Sequence, residues 1–336
     1  MKKLDSLQYA RAFAAIFVII AHTVNQFYMY STTGNKLFDE IIRRTTHLGD
    51  LGVYVFFVIS GYIMSYTTKN KDFGVEYAST FIKKRLLRIY PIYWIFFTLL
   101  VILWAAGIAL RSQDINAEKI FFSYLLIPFG ATDNKIDTPV MSQSWTLSYE
   151  MFFYFTFALL ISIRIKKERI IASLIFIFTL LFITSSLNAL PTAEANAFFS
   201  KWIIFLFIIG VFIERNENIL QNLTSKLSDT ICWALAAFLV CIAIYIEKPV
   251  YIDCLISAAI LIFVLPVRKK HNLLLKIGDA SYTIYLTHNF IVMAYGIFVK
   301  KFPNPWGCTI GGAITIAICI PFGLILYKLI EKKIHH

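Results

Sequence analysis

Long apolar runs, repeated from one end of the chain to the other, constrain this sequence more than any single motif. A bilayer core is about 30 Å thick and takes about 20 mostly apolar residues per helix. By that rule ten spans are predicted, at 9–29, 47–66, 88–108, 144–163, 169–187, 197–213, 229–246, 250–267, 280–298 and 307–328. The runs are continuous and do not alternate apolar with polar residues, so helices are expected and barrel strands are not. The predicted architecture is all-α, a polytopic transmembrane bundle in a single integral membrane domain over residues 1–336. Composition agrees: 58% of residues are hydrophobic and 15% charged, against roughly 45–50% and about 25% in soluble chains. A water-soluble enzyme, a disordered chain and a disulfide scaffold are excluded. The run AEKIFFSYLLIPF at 117–129 is too short to cross, and is expected to form an interfacial or re-entrant helix on the long loop 109–143. In the same loop Asp133, Asn134, Asp137 and Pro139 signal turns.

The net charge of +12 belongs to this bundle and not to a nucleic-acid surface, because Lys and Arg gather in short clusters between the apolar runs. Apart from Arg11, 21 of the other 31 basic residues fall on the side that carries both termini, which places those termini in the cytoplasm. The five cysteines lie inside predicted spans and none shows CxxC spacing, so thiolate metal binding and redox chemistry are not expected. No cleavable leader is expected either, because the first apolar run lacks a small-residue cleavage site.

Charge inside a bilayer is costly, about 2.5–3.5 kcal/mol per residue on insertion scales, so each case is a functional candidate. The first span holds Arg11 and His22 in RAFAAIFVIIAH. Eleven residues carry the helix about 20° past three turns, so the two side chains share one face, about 16 Å apart along the axis. The alternative reading is a snorkelling arginine and a hydrogen-bonded structural histidine. Glu150, in SQSWTLSYEMFFYF, lies near the start of the fourth span at a depth comparable with His22. If the two spans are neighbours, its carboxylate could accept from one imidazole nitrogen and raise the basicity of the other. The same carboxylate would equally suit the positive end of its own helix.

A basic cluster, Lys83, Lys84, Arg85 and Arg88, stands in FIKKRLLRIYPIYW. Arg85 and Arg88 are three apart and so neighbours on one helical face. Two guanidinium groups so placed suit phosphate, and the plainer reading is anchoring to acidic lipids. His288 in SYTIYLTHNF, with Asp279 upstream, could line the same cavity or serve as a structural histidine. Ser60–Gly61 could offer a nucleophile, although small residues in membrane helices usually serve close packing. G-x-S-x-G, P-loop, H-E-x-x-H and G-x-G-x-x-G motifs are all missing, which leaves hydrolase, ATPase and zinc-peptidase readings without their usual support.

Taken together and in order, these segments resemble the acyltransferase-3 family of integral membrane acyltransferases. Arg11 and His22 match its arginine, ten residues, histidine pattern, and LGVYVFFVISGYIM looks like its Gly-Val-x-x-Phe-Phe-x-x-Ser-Gly span. KRLLRIYPIYW is similar to its Arg-x-x-Arg-x-x-Pro segment, SWTLSYEMFFYF to its Trp-x-Leu-x-x-Glu segment, and SYTIYLTH to a recurring element near the end. LQYARAFAAIFVIIAH and WTLSYEMFFY look closest to the branch that modifies bacterial exopolysaccharides and O-antigens, including those of lipopolysaccharide. Asp5 lies six residues before Arg11, where the better-known branch has its aspartate three before.

The resemblance implies a multi-pass protein of the bacterial inner membrane, surrounded by lipid. It implies an O-acyltransferase that takes an acyl group, foremost acetyl, from cytoplasmic acyl-CoA to a sugar hydroxyl of a surface polysaccharide or its lipid-linked precursor. Acyl-CoA would be a substrate, with no tightly bound cofactor and no nucleic-acid partner. Arg85 and Arg88 would hold CoA phosphates, with Arg11 on phosphate or the thioester carbonyl. His22, with Glu150, would take the acceptor proton as general base, or His22 would carry the acyl group covalently. No appended extracytoplasmic domain is expected, so transfer would finish in the bundle or on another protein. The alternatives are a glycan transporter or flippase using the buried charges as a relay, and a membrane glycan polymerase.

Overall fold

The computed structural model describes residues 2–111, 113–132, 135–224, 226–246 and 249–334, so Asp133 and Asn134 of the loop turn signals lie outside the described residues. In chain order the main helices are α1 (Lys2–Tyr30), α2 (Lys36–Arg44), α3 (Leu48–Thr68), α4 (Val75–Ala105), α5 (Ala117–Tyr124), α6 (Trp145–Ser162), α7 (Ile170–Ser186) and α8 (Ala193–Phe199). They continue as α9 (Phe205–Arg215), α10 (Glu217–Thr224), α11 (Asp229–Tyr245), α12 (Val250–Val264), α13 (Asn272–Asp279), α14 (Ser281–Lys301) and α15 (Pro305–Leu326). Strand structure among the described residues is one antiparallel pairing of Ala131–Thr132 with Lys135–Ile136, in the loop where turns were predicted.

Among the described residues six helical segments are long and apolar enough to cross a membrane, or up to eight if each bent pair counts as one span, against the ten predicted from apolar runs. Two regions account for the difference. Helix α12 has 15 residues, bracketed by Pro249 and Pro266. At 1.5 Å per residue it covers about 22 Å of an about 30 Å core. Helix α6 has 18 residues, but Glu150 and several hydroxyl side chains dilute its apolar character. The third span also begins earlier than predicted: α4 starts at Val75, so the Lys83–Arg88 cluster sits within the helix and not at its mouth.

The chain forms two compact units, residues 1–59 with 213–336 and residues 60–212. In the first unit α1 packs against α13, α14 and α15. Its buried face is rich in alanine (Ala12, Ala14, Ala15 and Ala21), and such small side chains let helix backbones approach closely in lipid. Gly278 of α13 is needed for this approach, since a Cβ there would stand 2.2 Å from the backbone carbonyl oxygen of Gln8. Ala12, Ala15 and Ile19 of α1 join Ile277, Ala280, Ile284, Val292 and Cys319 in one buried cluster.

In the second unit α6 is the buried centre. Phe153 stacks on Phe207 at 4.3 Å, and Tyr149 stacks on Phe198 at 3.9 Å while donating its hydroxyl to the Phe198 carbonyl at 2.8 Å. Helix α5 is a short helix, as expected of a segment that does not cross. The carbonyls at its C-terminal end, left without intrahelical donors, accept from α4. Tyr93 donates to Ser123 at 2.7 Å, Trp94 to Tyr124 at 3.0 Å and Tyr90 to Leu125 at 2.8 Å.

Candidate active site

The predicted site residues fall in both units, Arg11 and His22 in the first and Arg85, Arg88 and Glu150 in the second. In the first unit α1 presents His22 to α14, and its partner there is His288. His22 Nδ1 lies 2.9 Å from His288 Nε2, with ring centroids 5.0 Å apart. His288 is fully buried, whereas His22 keeps part of its surface open. On the other side of its ring, His288 Nδ1 is 3.2 Å from the carbonyl oxygen of Ile284, one turn back along α14. Around His288 the first two turns of α14 are buried on nearly every side, Ser281, Thr283 and Thr287 included, and Thr287 donates its hydroxyl to the Thr283 carbonyl at 2.8 Å.

Arg11 lies three turns nearer the N-terminus of α1, where its Nη1 donates to Gln8 Oε1 at 3.4 Å. The end of α13 supplies a carboxylate to this neighbourhood. Burial raises the Asp279 carboxyl above its ordinary range, while the Arg11 guanidinium pulls it down and Asp5 pushes it up. Glu331, a buried carboxylate in the π-helical turn Tyr327–Glu331 that follows α15, accepts from the hydroxyl of Thr283.

In the second unit Glu150 lies more than a turn inside α6 and does not cap that helix. Its Oε1 accepts from Ser60 Oγ at 2.9 Å and from the hydroxyl of Tyr154, four residues on along α6. Ser60 is therefore engaged as a donor to a carboxylate. Gly61 next to it serves close packing, because a Cβ there would stand 2.0 Å from the carbonyl oxygen of Phe207. Arg85 extends this cluster: its guanidinium lies 5.7 Å from the Tyr154 ring centroid and 5.4 Å from that of Phe81, and its Nη2 donates to Thr67 Oγ1 at 3.2 Å. The Arg85 Nε–H is buried without a hydrogen-bond partner among the described residues. Such a donor suits an anionic oxygen. Arg88 is half-buried on the next turn of α4.

The second unit also holds a cavity of about 320 Å³ between the end of α5, α6 and α8, lined by aromatic side chains including Tyr90, Phe152 and Phe198, with Glu194 and Thr192 at its edge. Among the described residues no group of three or more His, Cys, Asp or Glu side chains is arranged to hold a metal ion.

Sequence reasoning missed three members of these clusters as partners. Tyr154 was open to inference, since a residue four positions from Glu150 lies on the same helical face. Ser60 and His288 each stand out in the sequence individually, and what a one-dimensional reading lacks is the long-range contact that gives each its partner.

A family model described as an acyltransferase domain matches residues 4–324. The chain is 24% identical over 367 residues to acyltransferase MdmB of Streptomyces mycarofaciens, an alignment covering 98% of this chain and 91% of that protein. It is 36% identical over 112 residues to exopolysaccharide production protein ExoZ of Rhizobium meliloti (strain 1021), covering 33% of this chain and 34% of that one. No solved structure matches the chain.

Proposed function

The chain belongs to the acyltransferase-3 family, and from that premise we propose that it is a membrane O-acyltransferase of the bacterial inner membrane, with both termini cytoplasmic. It moves an acyl group, acetyl foremost, from cytoplasmic acyl-CoA to a sugar hydroxyl of a surface polysaccharide or its lipid-linked precursor. The similarity to an exopolysaccharide production protein supports the acceptor class. The observation that carries the reading is a half-open imidazole, His22, held at one nitrogen by a fully buried second imidazole inside an apolar bundle. A polar pair in that setting is costly unless it has work to do.

In this reaction His22 removes the proton from the sugar hydroxyl as its oxygen attacks the thioester carbonyl carbon. A carbon–oxygen bond forms and the carbon–sulfur bond breaks. The CoA thiolate leaves and takes up the proton that the imidazole carried. Glu150 is assigned to the same chemistry, ordered by Ser60 and Tyr154. Arg85 and Arg88 are assigned to the phosphates of the donor, and the buried, unpartnered Nε–H of Arg85 supports that role. Arg11 is assigned to a donor phosphate or the thioester carbonyl.

Labelled acetyl-CoA, presented to membranes that contain the protein and a glycan acceptor, tests the donor assignment. Hydrogen bonds to charged groups contribute about 1.5–3 kcal/mol, so Arg88→Ala is expected to raise the KM for acetyl-CoA about tenfold or more. The chain should still accumulate in the membrane. An unchanged KM in both Arg85→Ala and Arg88→Ala would contradict the donor assignment and leave the cluster as a lipid anchor.

A further inference from the structure

The two imidazoles fix each other's protons, and this assigns a role to His288, which the proposed reaction leaves unused. The carbonyl oxygen of Ile284 can only accept, so the His288 Nδ1 that lies 3.2 Å from it carries a hydrogen. His288 is fully buried, and its partners are backbone carbonyls and another imidazole, none of which carries the negative charge that would offset a cation. An uncompensated buried cation is strongly disfavoured, so His288 is neutral and its Nε2 bears a lone pair. That lone pair faces His22 Nδ1 at 2.9 Å. Two lone pairs repel at such a distance, so His22 Nδ1 is the donor. A neutral His22 with its hydrogen on Nδ1 has its own lone pair on Nε2.

We propose that His288 is a positioning residue: from the interior of α14 it holds His22 in the tautomer whose Nε2 accepts a proton, and it stabilises the imidazolium formed when that proton arrives. The second effect follows from charge. Once His22 is protonated, its Nδ1–H bond to the His288 lone pair becomes charge-assisted, roughly twice as strong as a neutral one. Helix packing keeps the geometry, because His288 sits between Ile284 and Val292 on the buried face of α14 against Ala15 and Ile19 of α1. The role of the pair in catalysis rests on the acyl-transfer reading, whereas the position of the protons does not.

Two measurements on the purified full chain in lipid nanodiscs separate these parts. With 15N-labelled histidine, the His22 signals are the pair lost in His22→Asn. They are expected to show a protonated Nδ1 and a bare Nε2, and a protonated Nε2 with a bare Nδ1 would overturn the assignment. Kinetics then use two replacements for His288. His288→Gln keeps an acceptor oxygen close to the position of Nε2, while His288→Phe keeps the ring shape and removes the lone pair. The Phe variant is expected to lose about 10²-fold in kcat, with KM for donor and acceptor within about twofold, and the Gln variant to recover most of that loss. Equal losses in the two variants, or a change in KM with kcat preserved, would overturn the positioning role. If the Phe variant does not accumulate, near-normal kcat in His288→Gln together with the expected tautomer supports the proposal, and a bare Nδ1 refutes it. A wild-type chain that transfers no acyl group would refute the functional reading, and the nitrogen spectrum would still decide the tautomer.

Discussion

Replacing His22 by asparagine is expected to abolish measurable acyl transfer while leaving the protein in the membrane. A general base contributes about 10²–10⁴-fold to a rate, which corresponds to about 3–5.5 kcal/mol of transition-state stabilisation. Asparagine suits the purpose because its amide N–H stands close to where imidazole Nδ1–H stood. It can still donate to His288 Nε2, 2.9 Å away in the native pair, and it has no basic nitrogen to receive a proton. Alanine removes both groups and leaves the buried His288 acceptor unsatisfied, which costs about 1–3 kcal/mol. His22→Ala is therefore expected to accumulate less well than His22→Asn, with both inactive. Glycan acylation by the asparagine variant at more than a tenth of the wild-type rate would contradict the assignment of the base.

The second large effect is on folding. Gly61→Ala places a methyl group where only 2.0 Å separates it from the backbone oxygen of Phe207. Neither side is the free end of a flexible chain, so α3 and α9 have to move apart or tilt. Overpacking of this kind costs typically about 1–3 kcal/mol and sometimes more, a large part of the about 5–15 kcal/mol that holds a domain together. The neighbouring residue, Ser60, donates to Glu150, so the same displacement disturbs the polar cluster of the second unit. Gly61→Ala is expected to lower the amount of chain in the membrane severalfold and to reduce its thermal midpoint in detergent. Gly307→Ala is the comparison, since a Cβ there meets nothing closer than Asn304 at 3.6 Å, an ordinary contact. Equal accumulation of the two variants would show that the backbones around Gly61 yield more easily than the geometry implies.

The class of fold and the residues that carry charge into the bundle were legible in the sequence because both depend on local chemistry. An apolar run of the right length is helical whatever its neighbours do, and Arg11, His22 and Glu150 stand out against such runs without any knowledge of packing. Span counting was less secure for a physical reason. A rule of length and hydropathy treats each run alone, and so it passes over the prolines that shorten α12 and the polar residues that dilute the apolar character of α6. Helix α6 is hydrophobic because of its protein neighbours: Phe153 and Phe157 are fully buried. The start of α4 was misplaced for a related reason, because charged residues such as Lys83 and Arg88 end an apolar run without ending a helix.

Partnership was the least legible property. The sequence offers Glu150 as a group to orient His22, and the group at His22 Nδ1 is the imidazole of His288, 266 positions away in the chain. Nothing in the spacing of two histidines on different helices encodes that contact. It arises from α1 and α14 packing together around a shared core that holds Ala12 and Ala15 of α1 with Ile284 and Val292 of α14. Ser60 and Glu150 are a similar case, joined across 90 residues by a hydrogen bond that neither motif announces. Tyr154 differs, because its place one turn beyond Glu150 makes the contact local.

If the chain acylates a surface glycan as proposed, the mass of that glycan reports it. Polysaccharide from cells with the intact chain is compared with polysaccharide from cells that lack it and from cells carrying His22→Asn. The repeating unit is expected to lose the mass of one acyl substituent, foremost acetyl, in both altered strains, with chain length unchanged. Repeat units of identical mass in all three strains, or a shortened polymer with every acyl group in place, would contradict it.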